Sequence, residues 1–198
     1  MAKDIGNALQ ISQGSSLPTY RVNLATVTPV ALCTDITNIS LPSTATVALM
    51  VTKTSMTLIA TAASNLDGFL YKRTTANTVG TPLTLTTTQQ AFASGSAILM
   101  QMDSNDQASQ ATAVAYATVA SVGTGGIVEA NHISIPAAAT GVSSVMPFIF
   151  DCTTRGSKPL IIRPGQSVSL GFNGQTIPAG SILYAFIEWV EVPLISLF

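Results

Sequence analysis

Charge is what this chain most conspicuously lacks. Only 9% of its 198 residues are Asp, Glu, Lys or Arg, although 47% are hydrophobic, whereas about 25% is the usual charged share of a globular chain. The formal net charge is −1, and the basic residues are scattered singly apart from Lys72–Arg73. Nothing here would attract nucleic acid or an anionic lipid surface over a distance. Long apolar runs are missing too. The nearest, Ala108–Val128, is diluted by Ser, Thr, Gln and Gly, and a spanning helix needs about 20 successive, mostly apolar residues. A membrane protein is therefore not expected, despite a mean hydropathy of +0.46. "MAKDIGNALQ" has no apolar stretch of the kind that makes an export signal. The only cysteines, Cys33 and Cys152, are accordingly read as reduced, buried small hydrophobes, with a single disulfide as the alternative.

The same scarcity argues against an enzyme, and no cofactor or metal site is expected. The sole histidine, His132 in "VEANHISIP", has no Gly-x-Ser-x-Gly elbow to supply a nucleophile. A carboxylate pair would have to come from Asp103, Asp106, Glu129, Asp151, Glu188 or Glu191. Glu188 and Glu191 flank Trp189, the only Trp, as in a sugar-stacking site. Three positions apart on a strand, however, they face opposite sides unless a bulge intervenes. "MDSNDQ" groups Asp103, Asn105 and Asp106 but lacks the central Gly and later Glu of a calcium loop, so it reads as an Asx turn. "GTGG", Gly123–Gly126, fails the dinucleotide spacing and reads as a flexible connection or tight bend. Lys72–Arg73 reads as a solvated strand end.

What the chain has is Thr, Ser, Asn and Gln, arranged in β grammar. β-Branched residues suit a pleated, half-buried surface and are stiff in helices. "YRVNLATV", "TATVALMVTKTSMTLIATA", "GFLYKRTT", "TPLTLTTT", "SAILMQMDSND", "TAVAYATVAS", "IVEANHISIPA", "VMPFIFDC", "KPLIIRP", "QSVSLGF" and "SILYAFIEWVEV" read as successive strands, separated by Gly, Pro and Asn. Short strands at hairpin-like spacing make an all-β sandwich or barrel. Residues 1–18 show little periodicity and read as an N-terminal arm, 19–192 as the β domain, and 193–198 as an apolar C-terminal tail. In "QSVSLGF", Val168, Leu170 and Phe172 point one way, and Ser167, Ser169 and Gly171 the other.

The last strand is apolar on both faces. Ile182, Tyr184 and Phe186 lie on one side, with Leu183, Ala185, Ile187 and Trp189 on the other. Such a strand must be covered twice, by a loop of its own chain or by another subunit. A neutral, hydroxyl-rich exterior also lacks the repulsion that keeps monomers apart, and so favours a subunit hidden among neighbours.

The succession "LYKRTTANTVGTPLTLT", "MDSNDQASQATAVAYA", "RPGQSVSLGF" and "ILYAFIEWVEV", within residues 45–192, resembles the small jelly-roll structural proteins of tailed bacteriophages. The shared features are a Thr-Thr turn after a strand, a Pro-Gly turn before the penultimate strand, and an acid-aromatic pair closing the last. The resemblance implies a jelly-roll β-sandwich of about eight strands with an extended arm. It further implies a capsid decoration (cement) protein, a homotrimer bound to the major capsid protein on the virion surface and assembled in the host cytoplasm. Ile182, Tyr184, Phe186, Trp189, Leu197 and Phe198 are the expected subunit or capsid contacts. The rival readings are a receptor- or glycan-binding module of a fibre or spike, with Trp189 and Tyr184 as its platform, and a jelly-roll coat subunit.

Overall fold

The computed structural model describes residues 17–27, 35–60, 62, 64–78, 100–101, 109–116, 123–135, 145–152 and 158–197. These residues form β1 (Thr19–Val27), β2 (Thr37–Ser40), β3 (Val47–Ile59), β4 (Ser64–Arg73), β5 (Met100–Gln101), β6 (Thr112–Ala115), β7 (Gly125–Ile135), β8 (Val145–Asp151), β9 (Leu160–Ile162), β10 (Ser167–Gly171) and β11 (Ile182–Pro193). A 3-10 turn, Leu194–Leu197, follows. No helix of the described residues is long and apolar enough to cross a membrane.

The fold is all-β, with two antiparallel sheets. Sheet A runs β5-β1-β11-β3-β8, with β9 pairing along the other end of β3; sheet B runs β6-β2-β10-β4-β7. The longer strands pair from the outside of the sequence inward: β1 with β11, β2 with β10, β3 with β8 and β4 with β7. Eleven described strands stand where about eight were expected. The additional ones are the short β5, β6 and β9, which extend the two sheets at their margins.

Alternation decides what is buried. Directly paired residues of antiparallel strands project to the same face, so each row across a sheet is wholly inward or wholly outward. From sheet A, Val22, Leu24, Val51, Met56, Leu58, Ile187 and Trp189 turn inward. They meet Ile39, Leu70, Val168 and Leu170 of sheet B in one continuous core. Turn chemistry holds the ends. Gly165 of the Pro-Gly turn takes φ 81°, and Asn173–Gly174 take 54° and 73°, the positive-φ pair of a turn closed by the Gln175 amide on the Phe172 carbonyl at 3.1 Å as the chain leaves β10.

The segment boundaries shift in detail. β2 was not anticipated, because "TNIS" is short and sits among turn-forming Asp, Thr and Asn. "TPLTLTTT" and residues 1–16 lie outside the described residues. Leu17 and Pro18, read as the end of the arm, belong to the domain. The Pro18 carbonyl accepts from the Glu191 amide at 3.0 Å, and Leu17 packs on a second apolar cluster of Met50, Val190 and Val192. At the other end β11 continues through Pro193, shortening the expected tail.

Candidate functional site

Two surfaces carry the polar chemistry of the described residues. The first is the outer face of sheet A, where β11 places Ile182, Tyr184 and Phe186. All three are at least partly exposed, and Tyr184 is 39% exposed. Across β3 they are paired with Ile59, Thr57 and Ser55. One row further along, four strands contribute one charge each: Arg21 opposite Glu188, Glu188 opposite Lys53, and Lys53 opposite Asp151. Signs alternate along this row. The Arg21 guanidinium pairs with the Glu188 carboxylate and lies 4.6 Å above the Phe186 ring, while Lys53 Nζ stands 3.5 Å from Asp151. Beyond the charges, Met50 and Val190 are already covered by Leu17 and Ile161. Sheet A thus presents an open apolar area on one side of the charged row and a closed one on the other.

Trp189 is not part of this surface. It is 0% exposed, turned into the core and stacked on Tyr20 with centroids 6.0 Å apart. Its assignment as a contact residue is corrected by burial: the side of β11 that carries Trp189, opposite Tyr184 as expected, faces the core between the sheets. Burial likewise removes it as a sugar platform. Leu197 closes the 3-10 turn, its side chain and Phe198 lying outside the described residues; Ile195 on that turn is 87% exposed. Glu188 and Glu191 stand on opposite sides of β11, as strand spacing predicts. Glu188 faces Arg21, whereas buried Glu191 accepts from Ser109 Oγ at 2.5 Å and from the Gln110 amide at 3.0 Å.

The second surface is the outer face of sheet B, a covered polar layer over β2, β10 and the end of β4 that gives way on β7 to the exposed Ile127. Lys72–Arg73, expected as a solvated strand end, is engaged by the protein instead: Arg73 is buried and Lys72 is partly buried. Adjacent on a strand, the two side chains leave by opposite faces. Lys72 Nζ reaches across to the Ile161 carbonyl of β9 at 2.8 Å. Burial, with the Arg163 charge adding to it, lowers the Lys72 pKa below its ordinary value. Arg73 makes a forked pair with Asp35, its Nε at 2.9 Å and Nη2 at 2.6 Å from the two carboxylate oxygens. Its Nη1 also donates to the Gly123 carbonyl at 3.0 Å. Asn77 donates to Asp35 at 2.7 Å and accepts from the Gly123 amide at 2.9 Å. Beside this cluster Asn38 Nδ2 donates to Ser167 Oγ and Ser169 Oγ at 3.0 and 2.7 Å. These groups are buried because the chain after β4 and the start of β7 fold over them. Within "GTGG" two glycines are close-packed and one is open: a Cβ on Gly123 would lie 2.1 Å from the Thr75 carbonyl oxygen and one on Gly125 2.2 Å from that of Lys72, whereas Gly126 has nothing within 4 Å.

Tyr71 lies under the Arg73 guanidinium at 4.5 Å, and its buried hydroxyl has no hydrogen-bond partner. Burial, reinforced by the Asp35 carboxylate and opposed by Arg73, pushes its phenol up to about 12. A phenol harder to ionise when folded contributes its full stability below the ordinary 10.0 and loses it as pH climbs from there through about 12. Tyr71→Phe is expected to be neutral or to stabilise by about 1 kcal/mol at pH 7, since it deletes an unsatisfied buried group. Its advantage over the parent should grow above pH 10, measured by urea midpoints across pH. A midpoint difference constant to high pH would contradict this.

The remaining candidates are dispersed. Asp103, Asn105, Asp106 and Cys33 lie outside the described residues. His132 is opposite Asp67 and Glu129 opposite Leu70 on the β4–β7 pair. Cys152 is a buried free thiol, its pKa raised by burial and by Asp151. Among the described residues no three His, Cys, Asp or Glu side chains are grouped to hold a metal ion. Asp35, Asn38 and Asn77 were not singled out from the sequence, and Ser167 and Ser169 were read only as the polar face of their strand. The one available signal was the Ser-x-Ser alternation of a central strand, where small hydroxyls mark a face that is packed over. Comparison with known protein families, characterised proteins and solved structures finds no match for this chain.

Proposed function

We propose that the chain is a virion structural protein, a capsid decoration subunit that binds the major capsid protein as a homotrimer and stabilises the head lattice. The single observation that carries this reading is the outer face of sheet A, where Ile182, Tyr184 and Phe186 form an accessible apolar area in a chain with 9% charged residues. The strand order supports the jelly-roll architecture that the reading entails. With β5, β6 and β9 set aside, the sheets are β1-β11-β3-β8 and β2-β10-β4-β7, eight strands nested first against last. The burial of Trp189 weighs against a glycan platform.

Decoration predicts that capsid shells form without the chain and take it up when it is added. Tyr184→Asp and Ile182→Asp should each weaken uptake about tenfold or more while leaving the thermal melt of the free protein unchanged. Particle sedimentation with quantified bound protein measures this. Wild-type affinity in both variants would remove the face from the contact. Shells that never form without the chain would point to the coat-subunit reading, which the same strand order favours.

A further inference from the structure

We propose that the outer face of sheet A docks a second copy of this chain, about a two-fold axis parallel to the strands and passing between β11 and β3. The inference rests on the reading of that face as a contact surface and changes its occupant: a subunit of a neighbouring trimer takes the face across a two-fold of the lattice. Substitutions there then weaken uptake through the lost bridge, and the trimer and capsid contacts fall to other surfaces. Charge pattern carries it. Of 17 Asp, Glu, Lys and Arg residues in the chain (8 basic plus 9 acidic), four are placed in one row as Arg21, Glu188, Lys53 and Asp151. With alternating signs the row has no net charge, so it exerts no pull on a uniformly acidic or basic partner. Its complement is another alternating row read backwards.

The chain itself supplies that complement. Rotation about the stated axis lays β1 over β8 of the other copy, and β11 over its β3. Arg21 then faces Asp151 and Glu188 faces Lys53, each pair occurring twice. The apolar rows follow the same operation: Ile182 meets Ile59, Tyr184 meets Thr57 and Phe186 meets Ser55. An axis along the row would instead set each charge against its own copy, four like-charge contacts in all. Aligned sheets pack about 10 Å apart, a gap that long charged side chains reach across from both sides. The four strands offer about 500 Å² per copy, near the lower limit for a specific interface, so association belongs in the micromolar range.

Lys53→Glu and Glu188→Lys test this with the full chain. Lys53→Glu alone sets the new carboxylate against Glu188 of the other copy, twice per dimer. Glu188→Lys alone sets the new ammonium against Lys53 in the same two places. Each should weaken association about a hundredfold or more. Mixed one to one, the two variants pair oppositely in all four positions, and association should return. Light scattering at about 50 µM chain reads the mass against 20.4 kDa per chain, and circular dichroism melts establish that each variant folds. A monomeric wild type, association indifferent to either reversal, or a mixture that stays apart would each overturn the proposal. Uptake by capsids is read separately, so a failure here is distinguishable from a failure of the virion assignment.

Discussion

Arg73→Ala is expected to lower the unfolding free energy by about 3–5 kcal/mol, read from urea or thermal denaturation. Asp35 is 0% exposed and its carboxylate is held by the Arg73 fork and by Asn77. Removing the guanidinium leaves that charge buried without its cation, and it also strips the Gly123 carbonyl of a donor. The cost arises from the abandoned carboxylate more than from the lost pair itself. Asp35→Leu combined with Arg73→Met should therefore be less destabilising than Arg73→Ala, although it removes more polar contacts. Arg73→Lys should fall between, because an ammonium keeps the charge but cannot span both carboxylate oxygens. A loss below about 1 kcal/mol for Arg73→Ala would mean that water reaches Asp35.

Trp189→Ala is expected to cost a similar amount, about 3–5 kcal/mol, by opening a cavity at the centre of sheet A. The indole is fully enclosed and stacked against Tyr20. Trp189→Phe separates two contributions. It loses part of the packing volume but also deletes the indole N–H, which is buried without a hydrogen-bond partner, and such a group costs about 1–3 kcal/mol. The net change for Phe should stay within about 1.5 kcal/mol. Far-ultraviolet dichroism is the appropriate readout, because both substitutions remove the only tryptophan. A Phe variant as damaged as the Ala variant would show that the indole ring is irreplaceable by shape alone.

Strand positions were largely legible because period-two alternation is written directly in side-chain type. Val168, Leu170 and Phe172 are buried together as their spacing requires, and Leu183, Ala185 and Ile187 oppose Tyr184. What lies over a face is a different kind of information. In β10 the Ser side is as buried as the Val side, since the chain beyond β4 closes on it. The small Ser side chains of "QSVSLGF" leave room for that cover, but nothing local says which segment supplies it. Arg73 was misplaced for the same reason, as its partner Asp35 is 38 positions away. Trp189 was placed on the correct side of its strand but assigned to the wrong role. An apolar strand face looks the same in sequence whether it turns toward its own core or toward a neighbour.

The position of β11 between β1 and β3 bears on how the chain is made. The strand that completes sheet A is synthesised after every strand it must join, and β10 stands likewise between β2 and β4. Until those late segments emerge from the ribosome, β1 and β3 have open hydrogen-bonding edges with no native neighbour between them. Nascent chains in that condition are prone to pair with one another. Maturation is therefore a single late closure across long sequence separations, slow by the standards of local folding and most exposed to chaperone dependence just before it occurs.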